Sequence, residues 1–173
     1  MTEKKEKFIE VLKDHKKILF KIINVYCRDP EDQRDLEQEI LIQIWKALDS
    51  FDESKSKLST WIYRIALNVS ISHYRKDHKR KERTIAIDES ILEVVDTNGS
   101  DPALENHISF LYDCIRALDN LNKAVIILHL EGKSYQEIGE LLGISESNAG
   151  TKINRIRKIL KEQFKLKLKY GII

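Results

Sequence analysis

Near the C-terminus, Ser147, Asn148, Thr151, Lys152, Asn154, Arg155 and Lys158 cluster in a stretch whose apolar residues repeat at helical spacing. Hydroxyl, amide, ammonium and guanidinium groups on one helix face can reach phosphate oxygens and base edges, so the chemistry on offer is nucleic-acid binding. A second row, Arg64, Asn68, Ser72, Arg75 and Lys79, recurs every three or four residues on an otherwise apolar helix, beside Trp61, Tyr63 and Tyr74. Aromatic faces next to a basic row suit unstacked bases and backbone phosphates of a single strand. Composition by itself favours a plainer reading, a core tryptophan and a solvated basic face. Bond-breaking chemistry has little support. The five histidines, His15, His73, His78, His107 and His129, show no metal-ligand spacing, and no nucleophile motif or Gly-rich phosphate loop occurs. No catalytic residue, metal or cofactor is therefore expected, and the chain does not read as an enzyme.

The first cluster needs a frame, and residues 132–157, GKSYQEIGELLGISESNAGTKINRIR, provide one. Ser134 with Glu137 three residues on is a capping box, which starts a helix at about Tyr135. Gly143 after Leu141 and Leu142 is the expected left-handed stop, and Ser145 caps a second helix. A turn of about three residues makes the two helices cross steeply, and Gly139 supplies the small residue such a crossing needs. Ile138, Leu142, Ile144, Ala149, Ile153 and Ile156 then form an apolar seam, leaving Gly150 outward with the polar cluster. This is the pattern of a DNA-reading helix-turn-helix. A helical hairpin with a solvated polar face is the plainer alternative, and it leaves the coincidence of box, small residue, Gly turn and basic continuation unexplained.

Upstream, few Gly and Pro argue for an all-α chain of two small helical domains. Residues 4–27 read as one or two amphipathic helices ended by Arg28, Asp29 and Pro30. Residues 32–48 carry a buried stripe of Leu36, Ile40, Leu41, Ile44, Trp45 and Leu48. Ile42 projects the other way, among Asp35, Gln38, Glu39 and Lys46; it is either a protein-docking residue or one exposed apolar side chain of no consequence. A polar loop, residues 51–58, precedes the helix of the second row, with Ser59 or Thr60 as its expected cap. Residues 84–102 lose helical periodicity and end in the turn-rich run Asn98, Gly99, Ser100, Asp101 and Pro102, which reads as a linker. Its apolar residues, Ile85 to Val95, suggest that part of it docks. Two more helices follow, the second over residues 123–130 with Asn122 as cap.

Formal net charge is only +2, but it is segregated. The stretches 73–83 and 148–170 are basic, whereas 29–53 and 84–107 are acidic. Two basic patches and an acidic surface suit contact with nucleic acid at two places and with protein at a third. Cys27 and Cys114 stand far apart and read as buried thiols in a reducing, cytoplasmic setting. The N-terminus is too charged for a signal peptide, and no apolar run approaches a membrane span.

Three runs, DLEQEILIQIWKALDSFD, LSTWIYRIALNVSISHYR and LNKAVIILHLEGKSYQEIGELLGISESNAGTKINRIRKIL, together cover well over half of the chain. In order and spacing the sequence resembles bacterial extracytoplasmic-function sigma factors. That resemblance implies a region 2 domain at 1–83, a linker at 84–102 and a region 4 domain at 103–173. It implies that Asp35, Glu39, Ile42 and Trp45 dock on the β-prime clamp helices of core RNA polymerase. Phe51 and its loop, with Asn68, would capture a base flipped from the minus-ten element, supported by Trp61 and Arg64 and continued by Ser72, Arg75 and Lys79. Ser147, Asn148, Thr151, Lys152, Asn154, Arg155 and Lys158 would meet the minus-thirty-five element. Val125, Ile126, Leu128 and Leu130 with Ile159 would grip the β flap, and an anti-sigma factor would be a further partner. Gly150 stands where many relatives carry a basic or polar residue, which removes one direct DNA contact, and Ala149 replaces a β-branched residue.

The expected function is a promoter-specific initiation factor that binds core polymerase and traps melted strand. The rival is a helix-turn-helix repressor or activator that works without polymerase. A sensor domain would have no need of the basic, aromatic row around Trp61.

Overall fold

The structure is a computed structural model that describes residues 2–81 and 102–169, with side chains described over 3–74 and 106–169. The described chain is all α: α1 (Thr2–Tyr26), α2 (Pro30–Ala47), a 3-10 turn (Leu48–Ser50), α3 (Leu58–Lys81), α4 (Pro102–Arg116), α5 (Asn120–Leu130), α6 (Tyr135–Leu142) and α7 (Glu146–Lys169). Apart from Pro102, which opens α4, the expected linker lies outside the described residues. Among the described residues no helix is long and apolar enough to cross a membrane.

Local chemistry explains most boundaries. Asp29 caps α2 by accepting from the N–H groups of Glu31 (2.8 Å) and Asp32 (3.2 Å), and Pro30 fills the first helical position, where no N–H is needed. The cap of α3 is not Ser59 or Thr60. Leu58 packs against the core, which draws the helix start upstream, and the Lys57 carbonyl accepts from the Trp61 N–H at 3.1 Å. Asp119, not Asn122, caps α5: its carboxylate accepts from the Asn122 N–H at 2.9 Å, where the helix dipole also favours a negative charge. Gly132 closes α5 with φ +76°, and the Lys133 N–H reaches back to the Leu128 carbonyl at 3.1 Å.

Helices α1, α2 and α3 pack together, α5, α6 and α7 pack together, and α4 bridges α1 and α7. The halves meet where α1 and α3 lie against α4, α5 and α6, so one apolar cluster runs through both. Polar groups pin that junction. Tyr26 Oη donates to the Asn120 carbonyl at 2.8 Å, and Arg116 Nε donates to the Asn24 carbonyl at 2.8 Å. Glu131 is paired with Lys21 and accepts from Tyr63 Oη at 2.9 Å. Lys123, only 2% exposed, sets its ammonium 4.5 Å from the centroid of the Tyr74 ring and 5.6 Å from that of Tyr26.

Burial, then the nearby Asp119 charge, raises the Tyr26 phenol well above its ordinary value of 10.0. Burial, then the bond to Glu131, does the same for Tyr63. An unfolded chain releases these protons near pH 10 and the folded chain does not, so stability falls as pH rises above 10. In an alkaline titration followed by phenolate absorbance, two tyrosines should ionise only as helical circular dichroism is lost. Tyr26→Phe and Tyr63→Phe should each remove one of these late protons.

Candidate nucleic-acid interface

In the 134–158 segment the capping box is complete. Ser134 Oγ accepts from the Glu137 N–H at 3.1 Å, and the Glu137 carboxylate accepts from the Ser134 N–H at 2.8 Å. That backbone donor is the main reason the Glu137 carboxyl is held below the usual range. Gly143 takes φ +69°, and Ser145 Oγ accepts from the Asn148 N–H at 3.2 Å. At Gly139 a Cβ would stand 2.6 Å from the Ile144 carbonyl oxygen, a backbone atom of the turn itself. The small residue is thus required by the turn as much as by the crossing helix. Ile138, Ala149, Ile153 and Ile156 are buried in the seam. Leu141 is buried with them, while Leu142 and Ile144 lie half-buried at its edge.

Six of the seven polar residues stand exposed on or beside the outer face of α7: Ser147, Asn148, Thr151, Asn154, Arg155 and Lys158. Thr151 Oγ1 donates to the Ser147 carbonyl at 2.9 Å, so its hydroxyl faces outside groups as an acceptor. Lys152 departs from the row. It is half-buried, with Nζ 3.4 Å from Asn122 Oδ1, because its side chain lies along the start of α5. Gly150 departs too: it is buried, not outward, and a Cβ there would stand 3.2 and 3.3 Å from two carbons of the Tyr135 ring. Its missing side chain seats a tyrosine of α6 and has no opening toward a phosphate.

On α3, Arg64, Asn68 and Ser72 are exposed in one row, as spacing requires. The side chains of Arg75 and Lys79 lie outside the described residues. Phe51 packs against Trp61 with ring centroids 5.1 Å apart, which brings the loop before α3 onto the end of that row. Asp52 shapes the loop by accepting from the Ser54 hydroxyl (2.6 Å) and N–H (2.9 Å); the hydroxyl chiefly holds its carboxyl below the usual range. Tyr63 and Tyr74 do not share that surface. They turn to Glu131 and Lys123 at the junction with α5.

On α2, Asp35 is exposed and Ile42 is 50% exposed. Glu39 is half-buried, its carboxylate 3.0 Å from His73 Nδ1 on α3. Trp45 faces α1, edge-on to Phe8 at 5.1 Å with the Lys4 ammonium 4.8 Å from its ring centroid. Val125, Ile126 and Leu128 are buried within the C-terminal helices; of the expected flap-gripping set, Leu130 and Ile159 are exposed. Among the described residues no group of three or more His, Cys, Asp or Glu could hold a metal ion. Cys27 and Cys114 are buried thiols.

Two family models match this chain, Sigma-70 region 2 over residues 11–80 and Sigma-70, region 4 over residues 111–160. The ECF RNA polymerase sigma factor SigM of Bacillus subtilis is 30% identical, over 83% of this chain and 86% of its own. The chain belongs to the extracytoplasmic-function sigma factors. SigW of Bacillus subtilis is 24% identical over 91% of this chain and 89% of its own, and the sigma-E factor of Escherichia coli 27% identical over 75% and 72%. The sigma factor RpoE of Bartonella quintana, solved with the anti-sigma factor NepR, shares the fold: TM-score 0.73 over 95% of this chain and 98% of that one, at 20% identity. CnrH, solved with the cytosolic domain of CnrY, superposes with TM-score 0.65 over 94% and 90%, at 21% identity. As a sigma factor the chain serves transcription initiation, and the polymerase-independent repressor or activator is set aside.

Three features of this sigma factor were not read from its sequence: the Glu39–His73 pair, the Tyr135 seat at Gly150 and the burial of Lys123. The last had a visible signal, a single lysine at the head of the apolar run AVIIL. The two helical glycines should respond oppositely to alanine. Gly139→Ala should lower the thermal midpoint, because a backbone carbonyl must move, whereas Gly150→Ala should raise it. The Tyr135 ring is 36% exposed and can tilt away, so up to ~1 kcal/mol of helix propensity is recovered. Thermal unfolding followed by circular dichroism measures both; a fall for Gly150→Ala would mean that the Tyr135 seat outweighs propensity.

Proposed function

We propose that this sigma factor recognises a two-part promoter with two exposed rows, one on each half. The observation that carries the reading is the exposed line of Arg64, Asn68 and Ser72 on a helix whose neighbouring positions are buried. Such polar groups on a core helix, next to the Phe51 and Trp61 rings, fit melted minus-ten strand. Ser147, Asn148, Thr151, Asn154, Arg155 and Lys158 fit duplex minus-thirty-five DNA, with Lys152 joining them when its contact to Asn122 is released. Phosphate contacts position each half and few side chains read bases. The energy of binding offsets unpairing at minus ten.

Region 2 is assigned to residues 1–83, a linker to 84–102 and region 4 to 103–173, consistent with the matched spans 11–80 and 111–160. Asp35, Glu39 and Ile42 are assigned to core polymerase on the β-prime side, with Trp45 behind them against α1, and Leu130 and Ile159 to the flap. The protein acts without catalytic residues or cofactors, in the cytoplasm where polymerase and promoter meet. An anti-sigma factor is a further partner, a reading supported by the company in which RpoE and CnrH were solved.

Pull-down of core polymerase tests the docking face. Ile42→Glu should weaken capture by at least about tenfold, on the order of 1.4 kcal/mol, without loss of helicity, since the side chain is half in solvent. Glu39→Arg is the less selective variant because it also breaks the bond to His73. Capture unchanged in Ile42→Glu would remove the assignment. Purified protein alone should bind duplex promoter weakly; a nanomolar, sequence-specific gel shift without polymerase would contradict the bipartite reading.

A further inference from the structure

Between residues 148 and 161, Lys152 is the one basic side chain that is not exposed, and the cause lies on α5. Asp119, which caps that helix, accepts from the Asn122 N–H at 2.9 Å with one carboxylate oxygen and from Asn122 Nδ2 with the other. An ionised carboxylate can only accept, so it fixes the Asn122 amide with its NH2 group toward Asp119 and its carbonyl oxygen turned away. Lys152 Nζ stands 3.4 Å from that oxygen. Carboxylate, amide and ammonium thus form one line, in which each group favours the orientation of the next.

Lys152 belongs to the row on α7 that is read above as meeting duplex minus-thirty-five DNA. Asn148 and Arg155 lie on the same side of the helix, one turn before it and one turn after it, and both are exposed. An ammonium on a free, flexible stem finds a phosphate wherever the helix lands on a duplex, so it adds affinity without sequence information. One that is held at a fixed point does so less, because the phosphate must first draw it off its acceptor. A contact of 3.4 Å to a neutral amide is weak enough to be given up for a better-placed partner. Guanine offers such a partner in the major groove, with O6 and N7 side by side.

We propose, resting on that reading of α7, that Asn122 is a positioning residue for DNA recognition: its carbonyl ties down the Lys152 ammonium, so that Lys152 adds little general grip on phosphate and engages a guanine edge at one minus-thirty-five position. Asn122 itself touches no base. It sharpens the choice by restricting where its neighbour can reach, at a small cost in affinity for arbitrary DNA. Asn122→Ala separates this role from folding, because the Asn122 N–H that Asp119 accepts is a backbone group and the cap of α5 survives the change.

Amine acylation of the free full-length chain, read by mass spectrometry, tests the tie. Lys152 should react more slowly than the exposed Lys158, and Asn122→Ala should erase much of that difference; a Lys152 rate unmoved by the variant would overturn the tie. Holoenzyme reconstituted with core polymerase and selected on promoters randomised at minus thirty-five tests the recognition. Wild type should favour guanine by about tenfold at one position, and Lys152→Ala should lose that preference. Asn122→Ala should reduce it to about threefold or less and raise retention of arbitrary duplex DNA, with a salt dependence steeper by about one counterion. In a Lys152→Ala background the same change should alter neither quantity, whereas a merely structural role would act with or without the lysine. A Lys152-dependent preference for another base, a guanine preference left intact by Asn122→Ala, or an equal effect of that variant in both backgrounds would overturn the proposal. A wild-type holoenzyme with no preference at any minus-thirty-five position would instead overturn the functional reading, and the acylation rates stand apart from it.

Discussion

Helix α5 is enclosed by helices from both halves, and Lys123 to Leu128 are all buried. That enclosure is harmless for Val125, Ile126 and Leu128 but not for Lys123, whose charge burial disfavours, lowering its pKa. Two tyrosine rings answer it with their electron-rich faces, and both belong to the N-terminal helices. At the far end of the helix, burial likewise opposes the charge of Glu131. The bonds from Lys21 and Tyr63 outweigh that effect and hold its carboxyl below the usual range. The polar groups at both ends of α5 thus find partners on the N-terminal helices, beside the apolar cluster that runs through both halves.

The same helix sets where the polar face of α7 lies. α6 and α7 both pack on α5, and their mutual angle comes from a turn in which Gly139 leaves room for the Ile144 carbonyl while accepting the Ile144 N–H at 3.1 Å. Gly150 has a separate cause, a side-chain ring instead of a backbone atom. Two glycines eleven positions apart in one motif thus answer different constraints. Only the first is tied to the backbone path of the turn.

On the N-terminal side, α2 and α3 are joined through Glu39 and His73. The carboxylate on α2 and the imidazole on α3 share one contact. A shift of α2 on its partner is therefore transmitted to the helix that carries Arg64, Asn68 and Ser72. Trp45, turned to Phe8 and Lys4, ties the same helix to α1 on its other side.

Much was legible in the chain itself. Apolar spacing marked the helices, and Ser134 with Glu137, Gly143 and Ser145 marked the helix-turn-helix, because capping and left-handed turns depend on residues three or four positions apart. The exposed rows on α3 and α7 followed from the same periodicity. What periodicity cannot carry is which buried face meets which. That Lys152 lies along α5, that Gly150 seats Tyr135 and that Tyr63 and Tyr74 turn inward are decided by neighbours distant in sequence. The order of regions and the polar rows were determined by the sequence alone. The packing of the two halves on each other was decided only in three dimensions, because a lysine in an apolar run has no reason to be buried until Tyr26 and Tyr74 are brought against it.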